Sequence, residues 1–308
     1  MRGVTRLTRL RRLTLLGALS ATAACGSSVT ASRPTETSPP ASASLAVVAT
    51  TTQVADFVRV IGGDAVRVYG ILKPNVDAHD VETSPADLEA LRRAAVIVEN
   101  GAGLETWLAH AISASGSKGE VIDTSTGVAL RGEDPHIWHD PHNAEQMVTN
   151  IANGLSKASP SNASRYAANL AAYRAQLDAL DQEIEGKIAG LSNRKLVSNH
   201  DAFGYYVARY GLTFVGSVIP SFDSQAELSA SELQQLVTKI EAEGVKAVFS
   251  ETSLPAKTAE TIAKEAGVKV VEGDGALYGD SLGPAGSDGD TYLKMMRHNT
   301  DTIVENLR

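Results

Sequence analysis

Cysteine, positive charge and long apolar runs are all scarce in this chain of 308 residues. Its only cysteine, Cys25, cannot form an internal disulfide. The formal net charge of −8 argues against nucleic acid as a partner and is compatible with a cation as the ligand. The apolar run at residues 13–19 is too short to span a membrane stably. Histidine is also infrequent, but three of the seven histidines lie within ten consecutive residues.

The first 24 residues have the features of a signal peptide. They contain five arginines, no acidic residue and the short apolar run, and they end in small residues directly before Cys25. This arrangement resembles a bacterial lipobox, so we expect residues 1–24 to be removed and Cys25 to carry a lipid. Loss of the five arginines would change the formal net charge from −8 to −13. The alternative is an ordinary secreted protein with an incidental Cys25, since a lipobox usually has leucine at the position of Thr22.

Residues 25–44 follow as a segment of serine, threonine, alanine and proline with almost no large apolar side chain. Such a composition cannot bury a core, so we expect a flexible tether between the membrane and the folded part. The remaining residues, 45–308, are enough for two lobes that each have a core of their own.

Short β-rich runs alternate with helix-length segments throughout the remaining chain. Four runs are predicted as strands in each half: 45–49, 66–71, 95–99 and 120–123 in the first, and 195–199, 212–218, 246–250 and 268–271 in the second. Parallel strands joined by helices produce this alternation. The sequence therefore predicts an α/β fold of two similar lobes, residues 45–158 and 193–308, each a four-stranded parallel sheet flanked by helices.

One long, rigid helix is predicted between the lobes. Residues 161–191 contain no proline, and their apolar side chains recur at spacings of three and four. A helix of about 30 residues would be roughly 45 Å long, and as the connector in residues 159–192 it would limit hinge motion between the lobes. Two shorter helices broken at Gly186 are the alternative, but glycine costs only about 1 kcal/mol inside a helix.

The most unusual stretch is residues 134–143, which contain three histidines, two aspartates and two prolines. So many polar groups would lack partners in a core strand, and the prolines prevent a helix before Pro141. We therefore predict an ordered loop that presents an imidazole, from His136 or His139, to a metal ion.

Candidate ligands occur at comparable places in both predicted lobes. His79 and His136 follow the second and fourth strands of the first lobe, and His200 and Asp280 follow the first and fourth strands of the second. Open α/β sheets bind ligands past the carboxyl ends of their strands, so two ligands from each lobe would hold the ion in the cleft. His139 could replace Asp280, and three other aspartates compete with it: Asp274, Asp288 and Asp290.

Three imidazoles and one carboxylate without a thiolate suit Zn²⁺, Mn²⁺ or Fe²⁺. Each imidazole binds metal only when it is neutral, so we expect the metal affinity to fall at mildly acidic pH. Four protein ligands leave no open position on the ion, and no His-Glu-x-x-His sequence supplies a general base. The pattern favours a protein that holds a metal over an enzyme; a secreted metallohydrolase using His136 and His139 is the alternative.

Three motifs resemble those of the zinc- and manganese-binding lipoproteins of bacterial ABC importers, the cluster A-I solute-binding proteins. They are Asp-Pro-His-Ile-Trp-His-Asp-Pro at 134–141, Glu-Asn-Gly-Ala-Gly-Leu-Glu at 99–105 and Ser-Asn-His-Asp-Ala-Phe-Gly-Tyr at 198–205. The resemblance extends from about residue 45 to the C-terminus. It implies two α/β lobes joined by one long helix, with a metal between them held by four ligands: His79, His136, His200 and Asp280.

The same resemblance implies an extracytoplasmic protein, lipid-anchored at the outer face of the bacterial cell membrane, that delivers its metal to an ABC permease; we expect a monomer. Relatives with histidine at the position of His200 tend toward zinc and those with glutamate toward manganese. Zinc is therefore expected, although the chain lacks the His-rich loop of many dedicated zinc carriers and manganese stays open. A surface adhesin, a role attributed to some relatives, is a further alternative.

Overall fold

The computed structural model describes residues 44–226 and 229–308. The predicted signal peptide, the predicted lipid attachment at Cys25 and the predicted tether up to residue 43 lie outside the described residues. No helix within the described ranges combines the length and the apolar character that a bilayer crossing requires.

Four parallel strands form the sheet of the first lobe: β1 (Leu45–Ala49), β2 (Val66–Gly70), β3 (Val96–Glu99) and β4 (Glu120–Asp123). Their order across the sheet is β2-β1-β3-β4, and the accompanying helices are α1 (Thr52–Gly62), α2 (Pro85–Arg93) and α3 (Leu108–Ser115). Val47 belongs to the same buried cluster as Phe57 of α1, whereas its neighbour Val48 belongs to a second cluster with Leu91 of α2. Successive strand residues point to opposite faces, so helices cover both faces of this sheet. All four strands predicted for this half are confirmed.

A long helix connects the two lobes. After α4 (Pro141–Ala158), a 3₁₀ turn at Pro160–Asn162 leads into α5 (Ala163–Ala189), whose 27 residues span about 40 Å. The helix continues through Gly186, where an added Cβ would meet no atom within 4 Å. The prediction of one unbroken helix is confirmed, with its start two residues later than residue 161 because of the 3₁₀ turn.

The second lobe contains the four strands predicted for it, β5 (Lys195–His200), β6 (Thr213–Ile219), β7 (Ala247–Phe249) and β8 (Lys269–Val271), with helices α6 (Gly204–Tyr210), α7 (Ala230–Glu243), α8 (Lys257–Glu265) and α9 (Tyr292–Leu307). Parallel pairing joins β5 to β6 and β7 to β8, so the sheet is divided into two pairs and is not one continuous ladder. β5 has a register irregularity between Leu196 and Val197, and β7 has only three residues. An irregularity of this kind increases the local twist of β5, which disfavours a regular hydrogen-bond ladder between β5 and the short strand β7. The α/β fold of two lobes is confirmed with this one change.

One hydrophobic core extends through both lobes and the connecting helix. It includes Phe57 of α1, Leu177 and Ile184 of α5, Phe249 of β7 and Ile303 of α9. Because the lobes share this core, separating them would expose apolar surface at a cost of about 25 cal/mol per Å². The packing therefore favours one relative orientation of the lobes, which keeps the ends of their strands facing each other.

Candidate metal centre

The structure brings together the four side chains predicted as ligands. Each lies at the carboxyl end of a strand or in the loop that follows it: His79 after β2, His136 after β4, His200 at the end of β5 and Asp280 after β8. One possible ligand atom from each residue lies within 4.8 Å of the other three. The alternative aspartates Asp274, Asp288 and Asp290 are not in this group, which is the only one of its kind among the described residues.

Most of the distances between the converging atoms are close to the ligand-to-ligand distance of a tetrahedral zinc site. Asp280 Oδ1 lies 3.4 Å from Nε2 of His136 and 3.4 Å from Nε2 of His200. The Nε2 atoms of His136 and His200 are 3.4 Å apart. Nε2 of His79 lies 3.1 Å from Nε2 of His136 and 3.9 Å from Asp280 Oδ2. Ligands about 2.0–2.1 Å from a tetrahedral zinc ion would be roughly 3.3 Å apart, so these four groups are spaced like the corners of one site.

Asp134 orients His136. Its Oδ1 atom accepts the backbone N–H of His136 at 3.0 Å and lies 2.8 Å from the ring Nδ1. A carboxylate can only accept, so Nδ1 carries the proton and the lone pair of Nε2 faces the other candidate ligands. Both residues are buried, which keeps water from competing for this pair.

Glu251 orients His200 in the second lobe. Its Oε1 atom accepts the backbone N–H of His200 at 3.0 Å and lies 2.9 Å from the ring Nδ1. Nδ1 of His200 is therefore also the protonated nitrogen, and its Nε2 also points at the site. When both rings are neutral, the Nε2 atoms of His136 and His200 carry no proton and cannot share a hydrogen bond, so this arrangement suits a bound cation.

His79 is held differently from the other two histidines. Its side chain is 10% exposed, whereas the side chains of His136, His200 and Asp280 are fully buried. Among the contacts of the described residues, no carboxylate lies at the ring Nδ1 of His79; only its backbone N–H is bound, to Asp77 Oδ1 at 2.8 Å. His79 is therefore the candidate ligand with the weakest support.

Burial and neighbouring charges shift the pKa values of the four groups in different directions. Burial would raise the pKa of Asp280, but the neighbouring charges of His200 and His136 hold it well below its ordinary value. Burial would lower the pKa of His200, but the carboxylates of Glu251 and Asp280 raise it well above 6.5. Burial also opposes a raised pKa at His136, where the hydrogen bond to Asp134 and the charge of Asp280 prevail, and burial lowers the pKa of His79. The site thus favours positive charge beside Asp280, which a proton or a metal cation can supply.

The loop that carries His136 is fixed by contacts from both lobes. Asn100 Nδ2 donates to the carbonyl of Pro135 at 3.0 Å. The buried Trp138 donates through Nε1 to the carbonyl of Gly279 at 3.2 Å, and its own carbonyl accepts from the Tyr292 hydroxyl at 2.7 Å. These bonds tie the loop to the β3–α3 turn on one side and to the Asp280 loop on the other.

The motif at residues 99–105 is a structural support for this loop. Glu105 is half-buried and accepts the backbone N–H groups of Asn100 and Gly101, at 2.7 and 3.0 Å, and the Thr50 hydroxyl at 2.6 Å. Burial raises the pKa of Glu105 to about 7. This carboxylate shapes the turn from which Asn100 reaches the His136 loop.

Sequence reasoning missed the orienting roles of Asp134 and Glu251. A signal existed for each of them. Asp134 precedes His136 by two residues, the spacing at which an aspartate accepts a nearby backbone N–H. Glu251 lies two residues after the end of β7, so the strand-end rule that selected the ligands also covers it.

His139 does not join the candidate ligands. Its ring packs on Phe203, with ring centroids 4.6 Å apart, and neither ring nitrogen has a hydrogen-bond partner among the described residues. Burial lowers the pKa of His139 to about 3, so the ring is neutral. A hydrolase site built on His136 and His139 is therefore not supported.

Comparison with known proteins finds metal-binding relatives. A protein-family model described as zinc-uptake complex component A, periplasmic, matches residues 47–306. The zinc-binding protein TroA of Treponema pallidum (strain Nichols) is 34% identical over 270 residues, which cover 84% of this chain and 87% of TroA. The manganese-binding lipoprotein MntA of Bacillus subtilis (strain 168) is 32% identical over 281 residues, covering 86% of this chain and 90% of MntA.

Solved structures give the same result for the fold. The periplasmic zinc-binding protein TroA from Treponema pallidum superposes with a TM-score of 0.80 at 31% identity, covering 86% of this chain and 99% of that one. A crystal structure of ZnuA superposes with a TM-score of 0.74, also at 31% identity, covering 86% of this chain and 100% of that one. The similarity thus extends over nearly all of the described residues.

Proposed function

The chain belongs to the zinc-uptake complex component A family, and from this premise we propose that it captures a divalent transition metal outside the cytoplasm for an ABC importer. The proposed ligands are His79, His136, His200 and Asp280. The observation that carries the proposal is their convergence, because two come from each lobe and all four offer an atom within 4.8 Å of the others. Four protein ligands fill a tetrahedral shell, which suits holding a metal and leaves no position for a reacting water.

We propose zinc over manganese as the preferred metal. Three imidazoles and one carboxylate at nearly tetrahedral spacing match a structural type of zinc site, whereas manganese favours oxygen ligands. Intrinsic affinities also rank Zn²⁺ above Mn²⁺ at a site with nitrogen and oxygen ligands. The names of relatives include both metals and, in the lipoprotein MtsA of Streptococcus pyogenes, iron.

The proposed partner is an ABC permease, and the proposed location is the outer face of the cell membrane. Names of relatives support this, since MtsA is called an ABC transporter substrate-binding lipoprotein and MntA a lipoprotein. Within this proposal Cys25 carries the lipid, residues 25–44 form the tether, and the protein acts as a monomer. The alternative role as an adhesin has no support from the names of the relatives reported above.

Native mass spectrometry with elemental analysis tests the proposed function. The purified protein should bind one zinc ion per chain, and competition should place Zn²⁺ above Mn²⁺. His136→Ala should lose the bound metal, whereas the matched control His110→Ala, on the exposed side of α3, should keep it. Zinc retained at full occupancy in His136→Ala would refute the proposed site, and a tighter binding of Mn²⁺ would refute the metal assignment.

A further inference from the structure

The loop that carries His79 crosses from the first lobe to the second. Residues 73–80 connect β2 to the segment before α2, yet they contact two loops of the other lobe. The Asn75 backbone N–H donates to the carbonyl of Leu282, at 3.2 Å. Two residues further on, Asp77 contacts the loop after β6 through its side chain, at Ser224 and Gln225.

Asp77 joins His79 to the second lobe through a single carboxylate. Its Oδ1 atom accepts the backbone N–H of His79 at 2.8 Å. Its Oδ2 atom accepts the Ser224 hydroxyl and also Nε2 of Gln225, the latter at 3.2 Å. Asp77 and Ser224 are only 8% and 6% exposed, so water has little access to the bond between them.

This connection matters because the ring of His79 is held less firmly than the rings of His136 and His200. The rings of His136 and His200 are each held by a buried carboxylate of the same lobe, Asp134 and Glu251. No such carboxylate holds the ring of His79 among the described residues, and its side chain is the only one of the four candidate ligands with solvent exposure. The position of His79 therefore depends on how its backbone is anchored, and the side-chain anchor is on the opposite lobe.

We propose that Asp77 is a positioning residue that clasps the His79 loop to Ser224 and Gln225 of the second lobe and thereby sets the rate of metal release. The inference rests on the proposed function, because it concerns release from the same site. While the clasp is closed, His79 stays on the metal as the fourth ligand. When the clasp opens, the loop carries His79 away, and the remaining three ligands hold the ion less tightly.

The test measures zinc release from the full-length protein in stopped flow with an excess of a coloured chelator. Ser224→Ala removes the hydroxyl on the second lobe and leaves the Asp77–His79 bond in place. We expect Ser224→Ala to release zinc about 10-fold faster than the unmodified protein, and Asp77→Ala at least as fast, since supporting residues around metal ligands typically change affinity by 10–100-fold. The double variant with both Asp77→Ala and Ser224→Ala should release zinc no faster than Asp77→Ala alone, because both changes open the same clasp.

Two controls separate this role from a general loss of stability. Asp80→Ala removes an exposed carboxylate from the same loop and should leave the release rate unchanged. The Tm of metal-free Ser224→Ala should stay close to that of the unmodified protein, and its zinc association rate should change less than its release rate.

Each result decides between the two proposals. An unmodified protein that binds no zinc would overturn the proposed function, and the clasp with it. Normal zinc binding with an unchanged release rate in both Ser224→Ala and Gln225→Ala would overturn the clasp alone. This holds even if Asp77→Ala releases zinc faster, because that effect would then come from the lost Asp77–His79 hydrogen bond. If Asp77→Ala fails to fold, these two variants still provide the decision.

Discussion

Gly279 approaches Glu251 so closely that a Cβ added at Gly279 would lie 1.9 Å from Oε2 of Glu251. Only glycine fits this position without moving the carboxylate that orients His200. Gly279 also precedes Asp280 directly and accepts the indole N–H of Trp138. The backbone at Gly279 is thus linked to three of the four candidate ligands: directly to Asp280, through Glu251 to His200, and through Trp138 to the loop of His136.

Gly279→Ala should lower the affinity for zinc by at least about 10-fold and destabilise the protein by about 1–3 kcal/mol, because the new methyl group displaces Glu251. Gly186→Ala in α5 is the matched control, since its methyl group enters open space on a helix. That change should raise the free energy of unfolding by about 1 kcal/mol and leave zinc affinity unchanged. Chelator competition and urea unfolding measure both quantities, and equal zinc affinities in the two variants would contradict the prediction.

Glu251→Gln should weaken zinc binding by about 10–100-fold. The change keeps the size of the side chain but removes the negative charge that favours Nδ1–H of His200 and so directs Nε2 toward the metal. Glu241→Gln, on an exposed position of α7, removes the same charge away from the site and should have no effect. Chelator competition measures the dissociation constants, and an unaltered constant in Glu251→Gln would refute the orienting role.

His139→Leu should stabilise the protein, and more so in acid. The ring is buried without a hydrogen-bond partner among the described residues, so an apolar side chain of similar size removes a penalty of about 1–3 kcal/mol. Its pKa is about 3 in the folded protein against an ordinary 6.5, so the unfolded chain binds the extra proton and stability is lost as pH falls below 6.5.

Urea unfolding of the metal-free protein at pH 7.5 and pH 5 tests this prediction. Between these pH values the gain from His139→Leu should grow by about 2 kcal/mol, since each pH unit below the unfolded pKa contributes about 1.4 kcal/mol. The variant should still bind one zinc ion. A gain that stays the same at both pH values would show that His139 does not titrate on unfolding.

Zinc affinity should fall steadily as the pH is lowered from 8 to 5.5, and zinc binding should release protons. Glu251 and Asp280 outweigh the effect of burial and raise the pKa of His200 well above its ordinary value, so protons compete with zinc for this ring. Calorimetry in buffers of different ionisation enthalpy counts the released protons. An affinity independent of pH, with no proton released, would contradict the prediction.

The raised pKa of His200 also makes the stability of the metal-free protein depend on pH, in the direction opposite to that of the zinc affinity. A raised folded pKa means that the stability contributed by His200 is fully present below pH 6.5 and is lost as pH rises through the folded pKa. Zinc should therefore stabilise the protein most at alkaline pH, where the metal-free protein lacks this stabilising proton and no proton competes with zinc for His200. Thermal unfolding with and without zinc across this range measures the difference in Tm.

Local chemistry in the sequence was enough to predict most of the architecture. The strands and the single helix α5 follow from apolar periodicity and from the absence of proline, both of which act over a few neighbouring residues. The convergence of His79, His136, His200 and Asp280 follows from one topological rule, since parallel strands carry their carboxyl ends to a common edge.

Only the tertiary structure decided which groups support those side chains. Glu251 is 51 residues from His200, and Ser224 is 147 residues from Asp77, so no local pattern relates either pair. The division of the second sheet between β5 and β7 and the burial of His139 against Phe203 likewise depend on how separate elements pack. Apolar periodicity determines the secondary structure of each segment. Contacts between residues distant in the chain depend on the three-dimensional packing of side chains, which no local sequence pattern specifies.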